Sequence, residues 1–317
     1  MSHMAEARRW TVADIPDQTG RTVVVTGANS GLGLATTEQL ARRGARVVMA
    51  VRDPRRGDAA RARLTAGGVP AARLEVRRLD LADLDSVREF AEEFHRASLA
   101  PDVLVNNAGV MFPPRRLSPQ GHEIQFATNY LGHFALTGLL LDLLRTRPDP
   151  RVVTVTSIQH HRGRIRFDDL SGARAYSPVA AYAQSKLANV LFGLELQRRL
   201  DAAGQRVRSL LAHPGYAATN LHTAGPTLLR MLVSAGNLIL AQDAVAGALP
   251  QLYAAAAPRA RGGEFFGPDG WFGLRGHPRL VRPSATGADP VLARRLWELS
   301  ERLSGVRFDL PSPTPSG

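Results

Sequence analysis

Short apolar runs alternate with longer stretches of helical period along most of this chain. Thr22-Val23-Val24-Val25-Thr26 has the length and β-branched content of a buried strand. The stretch Leu32 to Arg43 has helical spacing and stops at Gly44. The pattern repeats with strands at Arg46–Ala50, Leu74–Arg77, Val103–Val105, Val152–Thr156, Val207–Leu211 and Glu264–Phe266. Helices are expected over Asp53–Ala66, Asp83–Ala97, Glu123–Leu144, Val179–Leu200, Asp243–Ala256 and Pro290–Leu303.

Strand–helix alternation of this kind predicts an α/β fold, a doubly wound parallel sheet with helices on both faces. No shift of composition marks a second domain. Residues 1–19 read as an N-terminal extension, with 1–3 a tag remnant, 20–305 as a single Rossmann-type domain, and 306–317 as a disordered tail. A ligand on such a sheet sits at the carboxyl ends of the strands.

Composition narrows the chemistry. A hydrophobic content of 44% is enough for a full core, so the chain is not a disordered one. The net charge of +12 is carried by arginines spread along the chain, without a basic run interleaved with aromatics, which argues against nucleic acid as partner. With no cysteine, disulfides, thiolate catalysis and Cys-ligated metal are excluded, and the histidines show no metal-ligand spacing. The first residues contain no apolar run of membrane-spanning length, so no signal peptide or stable membrane anchor is expected, and the expected location is cytoplasmic.

Lys186 is the only lysine in the chain. It follows Tyr182 by four positions, and on a helix residues i and i+4 share a face. A phenol ionises near pH ~10, and lowering that by about three units takes roughly 4 kcal/mol. One close positive charge at an effective dielectric near ~20 supplies about that much. The two residues can therefore form an acid–base pair.

Other candidates fall at strand ends. Gly27-Ala28-Asn29-Ser30-Gly31-Leu32-Gly33 joins the first strand to the first helix, where glycines let the backbone approach a pyrophosphate. At the end of the second strand an acid would hold a ribose 2′-hydroxyl and a base would take a 2′-phosphate. Val51 stands there, followed by Arg52, which favours NADP(H) over NAD(H). Asp53 is the counter-candidate, read here as a helix N-cap. Asp80-Leu81 can meet an adenine edge, and Asn106-Asn107-Ala108-Gly109 offers small residues beside a ribose. Ser157 ends the fifth strand, and Asn129 lies within an apolar helix, where an amide needs partners.

Together these motifs, with Pro214-Gly215, resemble the classical short-chain dehydrogenase/reductase family, in order and spacing, over residues 20–270. The stretch Ser157 to Asn189, with His160-His161, Phe167-Asp168-Asp169-Leu170 and Tyr176, is most similar to the retinol-dehydrogenase-like branch. The resemblance implies that Tyr182 is the general acid/base, that Lys186 binds the nicotinamide ribose and lowers the Tyr182 pKa, and that Ser157 holds the substrate oxygen. It implies that Asn129 positions a water in a proton relay, and that Pro214, Gly215 and Thr219 support the carboxamide. Residues 220–242, within an apolar stretch, would cover the substrate.

The expected function is NADP(H)-dependent interconversion of a carbonyl and an alcohol on a small lipophilic or aromatic molecule, with no metal. The resemblance implies a homodimer or homotetramer built through the Tyr182 and Asp243 helices, with a monomer as the alternative. Competing readings are a nucleotide-sensing or interaction protein without turnover, and a dehydratase or epimerase on the same scaffold.

Overall fold

A computed structural model describes residues 9–215, 244–270 and 275–310. Eight strands form one sheet in the order β3-β2-β1-β4-β5-β6-β7-β8. They are β1 (Thr22–Thr26), β2 (Arg46–Val51), β3 (Leu74–Arg78), β4 (Val103–Asn106), β5 (Arg151–Val155), β6 (Arg208–Ala212), β7 (Phe265–Pro268) and β8 (Pro278–Leu280). All neighbours pair in parallel except β7 and β8. The antiparallel β8 escapes sequence reading because it is three residues long and begins with proline.

The strands are apolar throughout because both sheet faces are covered. One face carries α3 (Leu84–Arg96), α4 (Ile124–Phe126), α5 (Gly132–Arg145), α6 (Pro178–Ala202) and α8 (Pro290–Ser304). The other carries α1 (Gly31–Arg42), α2 (Pro54–Ala66) and α7 (244–256). Caps set several boundaries. Ser177 accepts from Ala180 N ahead of α6, and Asp289 accepts from Val291 N and Leu292 N ahead of α8. Each of these helices has proline in its first turn, where the missing N–H costs nothing.

The single helix expected over Glu123–Leu144 is broken by a π turn, Ala127–Leu131, between α4 and α5. A π turn widens the hydrogen-bond ladder, and such turns gather at functional sites. Asn129 lies within it.

Residues 306–310, expected in the disordered tail, pack instead onto the domain. Val306 is buried, and the Phe308 ring lies 4.4 Å from Trp297 and 4.9 Å from Phe134. Apolar area outweighs the local polar composition there. The N-terminal extension is likewise anchored, with Ile15 buried and Trp10 edge-on to Tyr253 at 5.2 Å. Among the described residues no helix is long and apolar enough to cross a membrane. Strand order reverses between β1 and β4, so the loops after them diverge and leave a crevice at their carboxyl ends.

Candidate active site

The crevice begins with the loop after β1. Gly27 has φ +67°, and a Cβ added to Gly33 would collide with Gly27 O and lie 2.6 Å from Asn107 Nδ2. Ser30 stands at the N-cap of α1 without a side-chain bond to the helix, so it leaves the first N–H groups of α1 uncapped. Among the described residues nothing lies within 4 Å of a Cβ built on Gly31. A glycine-built backbone cradle with uncapped helix N–H groups fits the pyrophosphate of a dinucleotide.

Thr26, at the end of β1, ties this loop to the next. Its Oγ accepts from Asn107 N and Ala108 N, each at 2.9 Å, and meets His133 Nε2 at 2.9 Å. His133 Nδ1 donates to the Asn129 carbonyl at 3.0 Å, which leaves Nε2 to accept the threonine proton. Burial holds the His133 pKa down near 4, so the ring is neutral. Nothing in the sequence singled out this histidine. Its one signal is the spacing of four from Asn129.

Asn129 is fully buried with its amide satisfied. Nδ2 donates to Val110 O at 2.9 Å and Ser185 Oγ at 3.0 Å, and Oδ1 accepts from Val110 N at 2.7 Å. A Cβ built on Gly109 would lie 3.2 Å from Asn129 Oδ1 and 3.6 Å from Lys186 Nζ. The β4 turn, the π turn and α6 thus converge at one point.

Tyr182 and Lys186 lie on the first turns of α6, and Lys186 Nζ stands 5.7 Å from the centre of the phenol ring. Lys186 is buried and donates to Val155 O at 3.3 Å; burial lowers its pKa to about 8. Asn189 Nδ2 donates to the same carbonyl, and Thr156 Oγ donates to Lys186 O. Burial raises the Tyr182 pKa above its ordinary value, and a hydrogen bond from Ser157 partly offsets this. The shift is opposite to the lowering expected from Lys186, and burial is its largest cause. Ser157 also receives Gln159 N at 3.3 Å, and its carbonyl accepts from His160 Nδ1 at 2.7 Å.

The remaining candidates divide. Arg52 is exposed at the end of β2, whereas Val51 is buried. Asp53 caps α2, accepting from Arg55 N at 3.0 Å, and pairs with Arg56 at 3.6 Å. Asp80 is half-buried and accepts from Ala82 N at 3.0 Å, Leu81 is buried, and the N-cap of α3 is Asp83. Asn106 turns its side chain away from the crevice, donating to Thr137 Oγ on α5 at 3.0 Å. Pro214 and Gly215 follow β6, Gly215 N donating to His213 Nδ1 at 3.1 Å. Thr219 and residues 220–242 lie outside the described residues.

Fold and site define a dinucleotide-dependent oxidoreductase scaffold, and sequence relatives agree. The sequence model of the short chain dehydrogenase family matches residues 21–226. The chain is 40% identical over 300 residues to mouse (Mus musculus) retinol dehydrogenase 14, covering 90% of this chain and 86% of the relative. It is 43% identical over 296 residues to mouse polyprenol dehydrogenase, covering 92% and 86%. A crystal structure of an uncharacterised protein from Mycobacterium paratuberculosis superposes with TM-score 0.79 at 48% identity, covering 96% of this chain and all of that one. A Beutenbergia cavernae protein carrying NADP at low occupancy superposes with TM-score 0.56 at 28% identity, covering 78% and 94%. The chain belongs to the short-chain dehydrogenase/reductase family, in its retinol-dehydrogenase-like branch, as an enzyme of CH–OH and C=O groups.

Proposed function

We propose that this enzyme interconverts a carbonyl and an alcohol on a lipophilic or aromatic small molecule, with NADP(H) preferred over NAD(H). The observation that carries the reading is the pairing of Tyr182 with the buried Lys186 one turn further along α6, Lys186 Nζ standing 5.7 Å from the centre of the phenol ring.

Gly27, Asn29, Ser30, Gly31, Leu32 and Gly33 would hold the pyrophosphate side of the dinucleotide. Asp80, Leu81, Asn106, Ala108 and Gly109 would flank adenosine and ribose, with the backbone of Asn106 rather than its amide in contact. Tyr182, Lys186, Pro214, Gly215 and Thr219 would hold the nicotinamide end. When bound, the nicotinamide supplies or takes up the hydride. Ser157 Oγ donates to the substrate oxygen, and Tyr182 Oη gives its proton as the alkoxide forms. A raised phenol pKa keeps Tyr182 protonated at neutral pH, which suits the reducing direction. Lys186, still charged at pH 7 with a pKa near 8, stabilises negative charge on the phenolate left behind. Asn129 fixes the π turn and the β4 turn against α6.

The NADP(H) preference rests on Arg52, free of any acid at the Val51 position, and on Asp53 being committed to its helix. The lipophilic substrate class is supported by the relatives named for retinol and polyprenol. Homodimers or homotetramers belong to the same reading, although α8 and residues 305–310 occupy the outer face of α5 and α6. Titration with NADPH and NADH by nicotinamide fluorescence, followed by a panel of lipophilic ketones and aldehydes, tests it. Tighter NADPH binding with carbonyl-dependent oxidation is expected. No binding of either nucleotide would refute it.

A further inference from the structure

Among the described residues, two that are not glycine have positive φ, Ser98 at +47° and Phe112 at +59°. Ser98 follows the C-cap of α3, where a helix end commonly takes this conformation. Phe112 follows no helix. A bulky side chain in the left-handed region is strained, and such strain persists only where the surroundings over-determine it.

Here the surroundings are identifiable. Phe112 N donates to Gln125 Oε1 at 3.0 Å, and Gln125 is fully buried. The Gln125 amide is itself held by Pro178 O at 2.9 Å, at the start of α6. The result of this clamp is the position of the Phe112 ring, edge-on to Tyr182 with centroids 5.2 Å apart and planes at 73°. Phe112 comes three residues after Gly109, on the segment that brings Val110 to Asn129. The preceding Met111 is 52% exposed. An aromatic ring thus stands against Tyr182, and an exposed methionine precedes it in the chain. Neither takes part in proton transfer.

We propose that Phe112 is a specificity-determining residue: its ring is the apolar wall on which the carbon skeleton next to the reacting carbonyl rests, selecting carbonyls with a flat, unsaturated substituent. This rests on the reductase reading above. A flat π system can lie against an aromatic ring edge, whereas a puckered saturated ring of equal carbon count makes fewer contacts.

The test compares trans-cinnamaldehyde with 3-cyclohexylpropanal, both with NADPH, in the wild type, Phe112→Leu and Phe112→Gly. Leucine keeps apolar bulk without a flat face. Glycine accepts the positive φ without strain, so it keeps the fold if leucine does not. The ratio of kcat/KM for the two aldehydes is expected to favour cinnamaldehyde in the wild type and to fall roughly tenfold in both variants. An unchanged ratio with turnover retained overturns the proposal. So does equal loss of both aldehydes in a folded, NADPH-binding variant, which would make the ring a support for Tyr182 instead. A wild type that binds NADPH but reduces neither aldehyde also overturns it, while one that binds neither nucleotide refutes the reductase reading itself.

Discussion

The side-chain amide of Asn129 reaches Ser185 Oγ at 3.0 Å, tying the π turn between α4 and α5 to the helix that carries Tyr182 and Lys186. Ser185 in turn donates to Tyr182 O at 2.8 Å. The tie predicts coupled effects. Asn129→Ala should lower kcat at least about tenfold and cost on the order of 1–3 kcal/mol of stability, because Val110 N and O lose their partner. Combined with Ser185→Ala, the double-mutant cycle should show a coupling of roughly 1 kcal/mol in urea unfolding. Strict additivity would remove Ser185 from the arrangement.

Arg52→Ala should raise the Kd for NADPH about tenfold or more and leave NADH nearly unchanged, since one charge-assisted contact to a 2′-phosphate is lost. Fluorescence titration with both nucleotides measures this. Equal loss for both would take Arg52 out of that role.

Gly33→Ala places a methyl group against Gly27 O and 2.6 Å from Asn107 Nδ2. The loop cannot yield there without opening the cradle. A stability loss of about 1–3 kcal/mol and loss of nucleotide binding are expected, read by thermal melting with and without NADPH. A variant that binds NADPH normally would show that the loop does not carry the pyrophosphate.

Burial holds His133, His160 and His213 near pKa 4, against 6.5 for an ordinary histidine. Their folded pKa values lie below the unfolded one, so between these values the unfolded chain binds more protons. The stability they confer is complete above about pH 6.5 and is lost as pH falls toward 4. By pH 5 the loss should approach about 2 kcal/mol for each. Unfolding midpoints at pH 7 and pH 5 check this, and equal midpoints would mean that these rings are protonated at no cost.

Seven of the eight strands are legible in the sequence, because β-branched apolar runs such as Val23-Val24-Val25 have few alternatives once both faces are covered. The glycine loop and the Tyr182–Lys186 spacing are legible for the same reason, since local geometry dictates them. What is hidden depends on long-range packing. The π turn at Asn129 leaves no trace in apolar periodicity. His133 gains its meaning from Thr26, 107 positions away. The direction of the Tyr182 shift depends on how deeply the fold buries the phenol, and spacing alone does not give that. Phe308 reads as part of a polar tail until Trp297 and Phe134 are seen around it.

The central claim is that Tyr182 supplies the proton in a nicotinamide-dependent reduction. The most direct measurement is single-turnover oxidation of bound NADPH by a carbonyl substrate, in the wild type and in Tyr182→Phe, with nucleotide binding followed in the same samples. The account predicts that the phenylalanine variant binds NADPH as tightly as the wild type and loses turnover by about a thousandfold or more. Turnover near the wild-type rate in that variant would contradict it.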